Sequence, residues 1–304
     1  MMVILIFMTV MGCSRGEHGE RPSGRIIAWG WDRDGQVSDI PEGDDFVDVS
    51  VGNRHSLALR KDGSIVSWGR DSGGQVSDTP QGNDFVAISA GHDFSAALRI
   101  DGTVETWGWD VEKLGSRRFR TNDIVAISSG FNTIIALREN GTITVIGGDF
   151  DGRLPNIQVQ EAPGTNGFIS ISAGRTHSLA LREDGTVAAW GNDLRGSVND
   201  TPVESGFTAI AAGARHSLAL REDGTIAAWG WNLSGELADT PTTGGFAQIA
   251  VGYTHSLALH EDGTITAWGL ERTNNGQTAD TPTDAGFVAI AAGDFHNLAI
   301  QKVN

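Results

Sequence analysis

One cysteine in 304 residues excludes an internal disulfide, so nothing covalent braces this fold. Basic residues are scarce as well: 22 Lys and Arg stand against 38 Asp and Glu, a formal net charge of −16. Binding a phosphate backbone needs clustered cations that release counterions, and this surplus of acid removes nucleic acid from the expected partners. The densest basic run, Arg117-Arg118-Phe119-Arg120, is short, lies between periodic segments and reads as a solvated loop. Long apolar runs are missing. The one at the start covers about a dozen residues, against the ~20 that a membrane-spanning helix requires. Tyrosine occurs once, at Tyr253, whereas glycine occurs 41 times. Glycine without a collagen period implies many tight turns between short strands.

The apolar start, Val3 to Met8 followed by Val10-Met11-Gly12-Cys13, has the length of a signal-peptide core. It resembles the lipobox of bacterial lipoproteins: a branched apolar residue at Val10, a small one at Gly12, then the cysteine that receives the lipid. Ser14 resembles the residue that permits outer-membrane sorting. No Lys or Arg precedes the run, so either the true start lies upstream of Met1 or the signal is degenerate. The expected division is a signal peptide over 1–12, a lipidated Cys13 with a polar tether over 13–24, and one domain over 25–304. The expected location is the cell envelope, lipid-anchored at the outer membrane or periplasmic face, or else secreted. Contact with membrane is through the lipid alone.

Internal repeats dominate the remainder. Trp-Gly occurs at Trp29, Trp68, Trp107, Trp190, Trp229 and Trp268, with Ile146-Gly147 in its place once, at separations of 39, 39, 39, 44, 39 and 39 residues. Gly opening a Gly-x-x-His-Ser-Leu-Ala-Leu motif recurs at Gly52, Gly91, Gly130, Gly174, Gly213, Gly252 and Gly293. Asp-Gly or Asn-Gly falls in the same phase at Asp62, Asp101, Asn140, Asp184, Asp223 and Asp262. Within one unit, Phe207 to Ala212 is a strand of small residues suited to a crowded axis. His216 to Leu220 alternates with period 2, Asp223-Gly224 is a hairpin turn, and Thr225 to Trp229 returns. Each unit is therefore a three-stranded antiparallel sheet that buries its faces only by stacking on neighbours. The repeated Trp is the wedge between them.

The ends complete each other. The last unit stops after two strands, Phe287 to Ala292 and Phe295 to Ile300, and the first, Arg25 to Gly30, is a lone third strand. Pairing them closes a seven-bladed all-β propeller with about 39 residues per blade and removes both free sheet edges at the ends of the chain. The coupled motifs resemble the repeats of the regulator of chromosome condensation family, over residues 25 to 304. In repeat length and strands per blade they are similar to the short type found in propeller-type β-lactamase inhibitory proteins. Departures gather in blades 3 and 4: Thr133 for the motif His, Ile146 for Trp, and extra residues at Gln158 to Thr165.

Chemistry is sparse. The motif histidines His55, His177, His216, His255 and His296 fall one per blade, around a ring, so no metal site and no cofactor is expected. Asp32-Arg33-Asp34-Gly35 resembles the opening of a calcium loop but lacks the downstream ligands. Ser and His are adjacent on a strand and point to opposite faces, which excludes a catalytic pair. What varies is the rim where the turn after the motif Gly meets the residues after Trp-Gly. It carries Trp31, Arg54, Arg70, His92, Trp109, Phe131, Arg175, Arg215, Trp231, Tyr253 and Phe295, residue types enriched in binding hot spots. In the resembling inhibitory propellers the same rim holds the target enzyme. The expected function is a non-enzymatic, monomeric module that binds a protein partner through this aromatic and acidic rim. The alternatives are inhibition of a β-lactamase or related penicillin-interacting enzyme, and a carbohydrate-active enzyme needing two rim carboxylates across the central pocket. Guanine-nucleotide exchange is a further one, disfavoured by the absence of a basic tail or long insertion.

Overall fold

A computed structural model describes residues 21–109, 111, 118–120, 122–147, 157–233, 235–269 and 275–303. Strands are short because the sequence places a turn every few residues. In blade 1, Phe46–Val51, His55–Arg60 and Ile65–Gly69 form an antiparallel sheet. The same unit recurs over 85–108, 124–147, 168–191, 207–230 and 246–269. The middle-to-outer hairpin explains Asp-Gly-Ser/Thr. Gly63 takes φ +84°, and Asp62 accepts hydrogen bonds from the Ser64 amide (2.8 Å) and hydroxyl (2.6 Å). Blade 7 is composite: Arg25–Gly30 pairs with His296–Gln301, from Arg25 opposite Gln301 to Gly30 opposite His296, with Phe287–Ala292 on the far side. Gly24 and Phe46 exchange backbone hydrogen bonds, which fastens the start of the propeller to blade 1 as well.

Two details differ from the sequence expectation. Blade 2 has a fourth strand, Arg118–Arg120, paired with Thr103–Glu105 on its outer edge, where a loop was expected. The free outer edge of a blade accepts any extended segment within reach, and composition alone does not register that. The insertion after blade 3 contains one helical turn, Ile157–Gln160. Residues 1–20, with the signal segment and Cys13, lie outside the described residues, as do Asp110, Arg117, Phe150 and 270–274.

The first strand of every blade lies against its counterparts on both sides and lines the axis. Close approach explains the motif glycine. A Cβ on any of the seven would lie closer than 3.0 Å to the carbonyl oxygen of the next blade's motif glycine, or, in Gly213 and Gly293, also to a valine methyl. The wedge tryptophans are 2–5% exposed. Five of them donate the indole N–H to a linker carbonyl 32 residues earlier, among them Trp68 to Gln36 (3.0 Å) and Trp190 to Gln158 (2.9 Å), and Trp29 makes the same bond to Gln277 across the closure (2.9 Å). Burial against a neighbouring sheet with the one polar atom satisfied is the favourable state for indole.

Two sets of buried polar bonds cross the blade interfaces. In the first, the motif imidazole reaches the next blade's motif residue. His55 Nε2 meets Ser95 Oγ (2.8 Å), His177 meets Ser217 (2.7 Å), His216 meets Ser256 (2.8 Å), His255 meets Asn297 Oδ1 (2.6 Å) and His296 meets Ser56 (2.7 Å). In the second, an inner-strand serine accepts the amide of the next inner strand: Ser50 from Ala90 (2.9 Å), Ser89 from Ser129 (2.8 Å), Ser128 from Ala173 (2.9 Å) and Ser172 from Ala212 (2.9 Å). The sets overlap at the 1/2 and 4/5 interfaces, and elsewhere one stands in for the other. Phe94 and Thr133 break the histidine set at the 2/3 and 3/4 interfaces, where serines take over. Blades 5 to 7 carry Ala211, Ala250 and Ala291 at the serine position and rely on histidine. Where Phe94 replaces His, the facing residue is Ile134 instead of Ser, and both are buried, so no hydroxyl is stranded.

Candidate binding rim

Five blades show directly how the rim is built. The amide two residues after the repeated Trp, or after its aligned partner, donates to the turn behind the motif glycine: Trp31 to Phe295 O (2.9 Å), Arg70 to Arg54 O (2.8 Å), Trp109 to Asp93 O (2.9 Å), Asn192 to Thr176 O (2.8 Å) and Trp231 to Arg215 O (3.1 Å). The two variable segments of a blade therefore emerge side by side. The loop that follows is held by a short acceptor side chain. Asp32 Oδ1 accepts the amides of Val37 (2.8 Å) and Ser38 (3.0 Å), and Asp71, Asp193 and Asn232 do the same in their blades. The Val198 and Asn199 amides hold the Asp193 carboxyl below the usual carboxylate range. Asp32 and Asp193, candidates for paired rim carboxylates, thus serve as loop supports.

The residue after each motif glycine, in blade order Asn53, His92, Phe131, Arg175, Ala214, Tyr253 and Asp294, rings the mouth of the axial channel. The pocket beneath encloses about 70 Å³, opens to solvent, and has the glycine ring and the inner-strand ends as its wall. Its side chains form one connected chain of contacts. Trp31 meets Phe295 edge-on (5.1 Å between centroids) and lies beneath Arg54 (4.8 Å). Phe295 stacks on Tyr253 (6.4 Å). Arg175 lies over Phe131 (4.3 Å) and Tyr253 (5.4 Å), and Arg215 over Tyr253 (5.6 Å) and Trp231 (4.8 Å). His92 packs on Phe131 (4.3 Å), bonds Asp93 through Nδ1 (2.8 Å) and faces Asp294 through Nε2 (3.6 Å), with Arg70 at 3.9 Å from Asp93. Burial raises the Asp294 carboxyl, against the opposing pull of His92 and Arg175. Trp109 is 48% exposed.

All eleven side chains expected at the rim lie on this one face. Three more belong to it that sequence reasoning did not single out. Asn53 is buried with Oδ1 unpartnered, Asp294 closes the mouth, and Arg195 lies over Trp231 (4.4 Å). Asn53 and Asp294 were legible from their repeat phase. Arg195 sits four residues past Gly191 in a loop, and only its left-handed backbone (φ +57°) turns it toward the rim.

The motif histidines are fully buried and directed across blade interfaces. Burial holds His55, His177 and His255 at about 4 and His216 and His296 at about 3, so they are neutral imidazoles. Asn297 Nδ2 donates to Gln277 O (2.9 Å), which leaves Oδ1 to accept from His255 and fixes that tautomer with the proton on Nε2. Among the described residues no group of three or more His, Cys, Asp or Glu is placed to hold a metal ion.

The two classes of tryptophan have different energetic consequences. Trp190→Ala removes a buried indole and its bond to Gln158, an expected loss of about 3–5 kcal/mol in chemical denaturation. Trp109→Ala, at a half-exposed site, is expected to shift stability by about 0.5 kcal/mol or less. Equal losses at the two sites would make the rim tryptophan a core residue.

Comparison with known proteins agrees with this architecture. The family described as Regulator of chromosome condensation (RCC1) repeat matches residues 46–75, 168–197, 207–236 and 246–277. These are blades 1, 4, 5 and 6, the four that hold both the motif His and the wedge Trp in one continuous stretch. No curated protein matches the chain. Among solved structures, Prp20p from Saccharomyces cerevisiae superposes with a TM-score of 0.71 at 19% identity, covering 94% of this chain and 93% of its own. Human WBSCR16 gives 0.71 at 16% identity over 93% and 99%. The ectodomain of the Physcomitrella patens receptor kinase CR4 gives 0.68 at 23% over 81% and 67%. At these identities the likeness is one of fold.

Proposed function

We propose that this seven-bladed propeller of RCC1 repeats is a non-enzymatic protein-binding module, displayed on a bacterial cell envelope by a lipid on Cys13. The observation that carries the binding reading is the continuous aromatic and guanidinium surface from Trp31 through Phe295 and Tyr253 to Trp231, placed on one face by the turns of blades 5, 6 and 7. Core positions of the repeat are nearly uniform, whereas this face differs in every blade. Rings held by stacking and by arginine lose little entropy on contact, as hot spots require. Similar propellers support the reading: the yeast relative is described by its binding to Gsp1p and histones, and is seen bound to Kap60.

The test compares faces. Envelope partners captured by the full chain are expected to be lost on Tyr253→Ala or Trp231→Ala, a weakening of about 2 kcal/mol or more each. They are expected to be kept on Val203→Asp, an exposed residue of the linker that leads to the opposite face. Loss with Val203→Asp and retention with both rim variants would move the binding surface to the hairpin face. The anchor has its own readout: labelled palmitate should appear on the wild-type chain and vanish in Cys13→Ser. An unlabelled, fully soluble wild-type chain excludes the lipid anchor.

A further inference from the structure

Resting on the rim reading above, we infer that Arg175, Arg195 and Arg215 receive a carboxylate of an acidic peptide segment in the partner, at the side of the channel mouth formed by blades 4 to 6. Acidic side chains outnumber basic ones in this chain 38 to 22, so an arginine here has an ample choice of internal partners. On the hairpin face Arg60, Arg99, Arg138 and Arg221 are each paired with a carboxylate, Asp45, Asp84, Asp123 and Glu204, while Arg182 lies over Phe168 (5.0 Å) and bonds Thr186 (3.3 Å). On the rim, Arg54 and Arg70 have Asp34 and Asp93 at 3.9 Å. Arg175, Arg195 and Arg215 have no ion pair among the described residues and lie instead on the faces of Phe131, Trp231 and Tyr253, at 4.3 to 5.6 Å.

A guanidinium stacked on a ring spends its face and keeps its edge, where the N–H donors that match a carboxylate point outward. The stacking also fixes the side chain in advance, which lowers the entropic cost of a bidentate bond. Between Arg175 in blade 4 and Tyr253 in blade 6 the blade 5 position is Ala214, a methyl, so no larger side chain covers the Arg175 guanidinium from that position. The ligand is a peptide for two reasons. The same pocket is lined by Asn53, whose buried Oδ1 lacks a donor and suits an N–H of an incoming chain. A polyanion would meet the field of a −16 protein, whereas one or two carboxylates meet only the local arginines within a Debye length of ~10 Å.

The experiment uses the full chain and three fluorescent probes: a decapeptide of Ser and Gly with one central Glu, its Gln counterpart, and a sulfated oligosaccharide. Anisotropy at low salt is expected to show one saturable site for the Glu peptide, at least tenfold tighter than for the Gln peptide, weakening as salt rises. Arg175→Gln with Arg215→Gln should weaken it a further tenfold at an unchanged melting temperature. Arg60→Gln, on the opposite hairpin face, should leave it as in wild type. Should the double variant melt early, Arg195→Gly serves in its place, since glycine suits that left-handed backbone and removes the charge. Equal binding of the Gln peptide, indifference to the arginine substitutions, or tighter binding of the oligosaccharide overturns the inference. The two readings separate cleanly. If the Glu peptide fails while Tyr253→Ala still loses the captured partner, only the carboxylate receptor falls.

Discussion

Deletion of residues 295–304 is expected to abolish the monomeric fold. It removes His296–Gln301, the middle strand of blade 7, and so leaves Arg25–Gly30 with no partner across six paired positions. Leu298, Ala299 and Ile300 are fully buried, and losing residues of that kind costs about 2–5 kcal/mol for each large side chain. Two interfaces fail together, because Ser56 loses His296 and His255 loses Asn297. The sum is comparable with the ~5–15 kcal/mol that holds a typical domain. Two sheet edges are exposed at the same time, so the expected product is unfolded or associated chain, seen by size-exclusion chromatography and loss of a cooperative thermal transition. A truncated chain that remained monomeric with an unchanged melting temperature would disprove closure through the shared blade.

Acid should unfold the protein well before the carboxylates titrate. Unfolded, the five motif histidines take up protons near pH 6.5. Folded, burial delays uptake to about 4 in three and about 3 in two. Between those limits the unfolded chain binds more protons, so stability rises with pH and is lost as pH falls below 6.5. From pH 7 to 5 each imidazole contributes a loss of about 2 kcal/mol. Asp48, pushed up to about 6 by burial, and Asp294, also raised, work in the opposite sense, because the folded chain protonates them first. Five imidazoles outnumber the two carboxyls, so unfolding near pH 5 still takes up protons on balance. Urea titrations at pH 7, 6 and 5 should show the stability falling steeply, and His216→Gln should flatten the slope by about one proton. Stability that is level from pH 7 to 5 would mean that the imidazoles are not held neutral in the folded ring.

How much of this was legible in the sequence differs from element to element. The third strand at Arg25–Gly30 and its pairing to the last unit could be read from the repeat phase alone, and the Asp-Gly hairpins from their turn chemistry. Phe94 in the histidine position could have been read as well, since Ile134 replaces the serine it would have met, but the two lie 40 residues apart and compensate only across an interface. The fourth strand of blade 2 could not. Arg118–Arg120 carries no strand period of its own, and it is extended because an open edge is adjacent.

The blade count, the strand order and the place of closure were thus determined by the sequence itself, because they depend on local periods and on a spacing of 39 residues that any one unit repeats. The tertiary structure alone decided which side chains meet on the rim. Arg175 reaches Tyr253 over Ala214, and His92 faces Asp294 across Asn53, contacts between blades two apart. They depend on the reach and direction of individual side chains around a narrow mouth, which no local period encodes. The same holds for the three unpaired arginines. Their number is visible in the sequence, but whether a carboxylate or an aromatic ring lies within reach is settled only when seven turns are brought to one face.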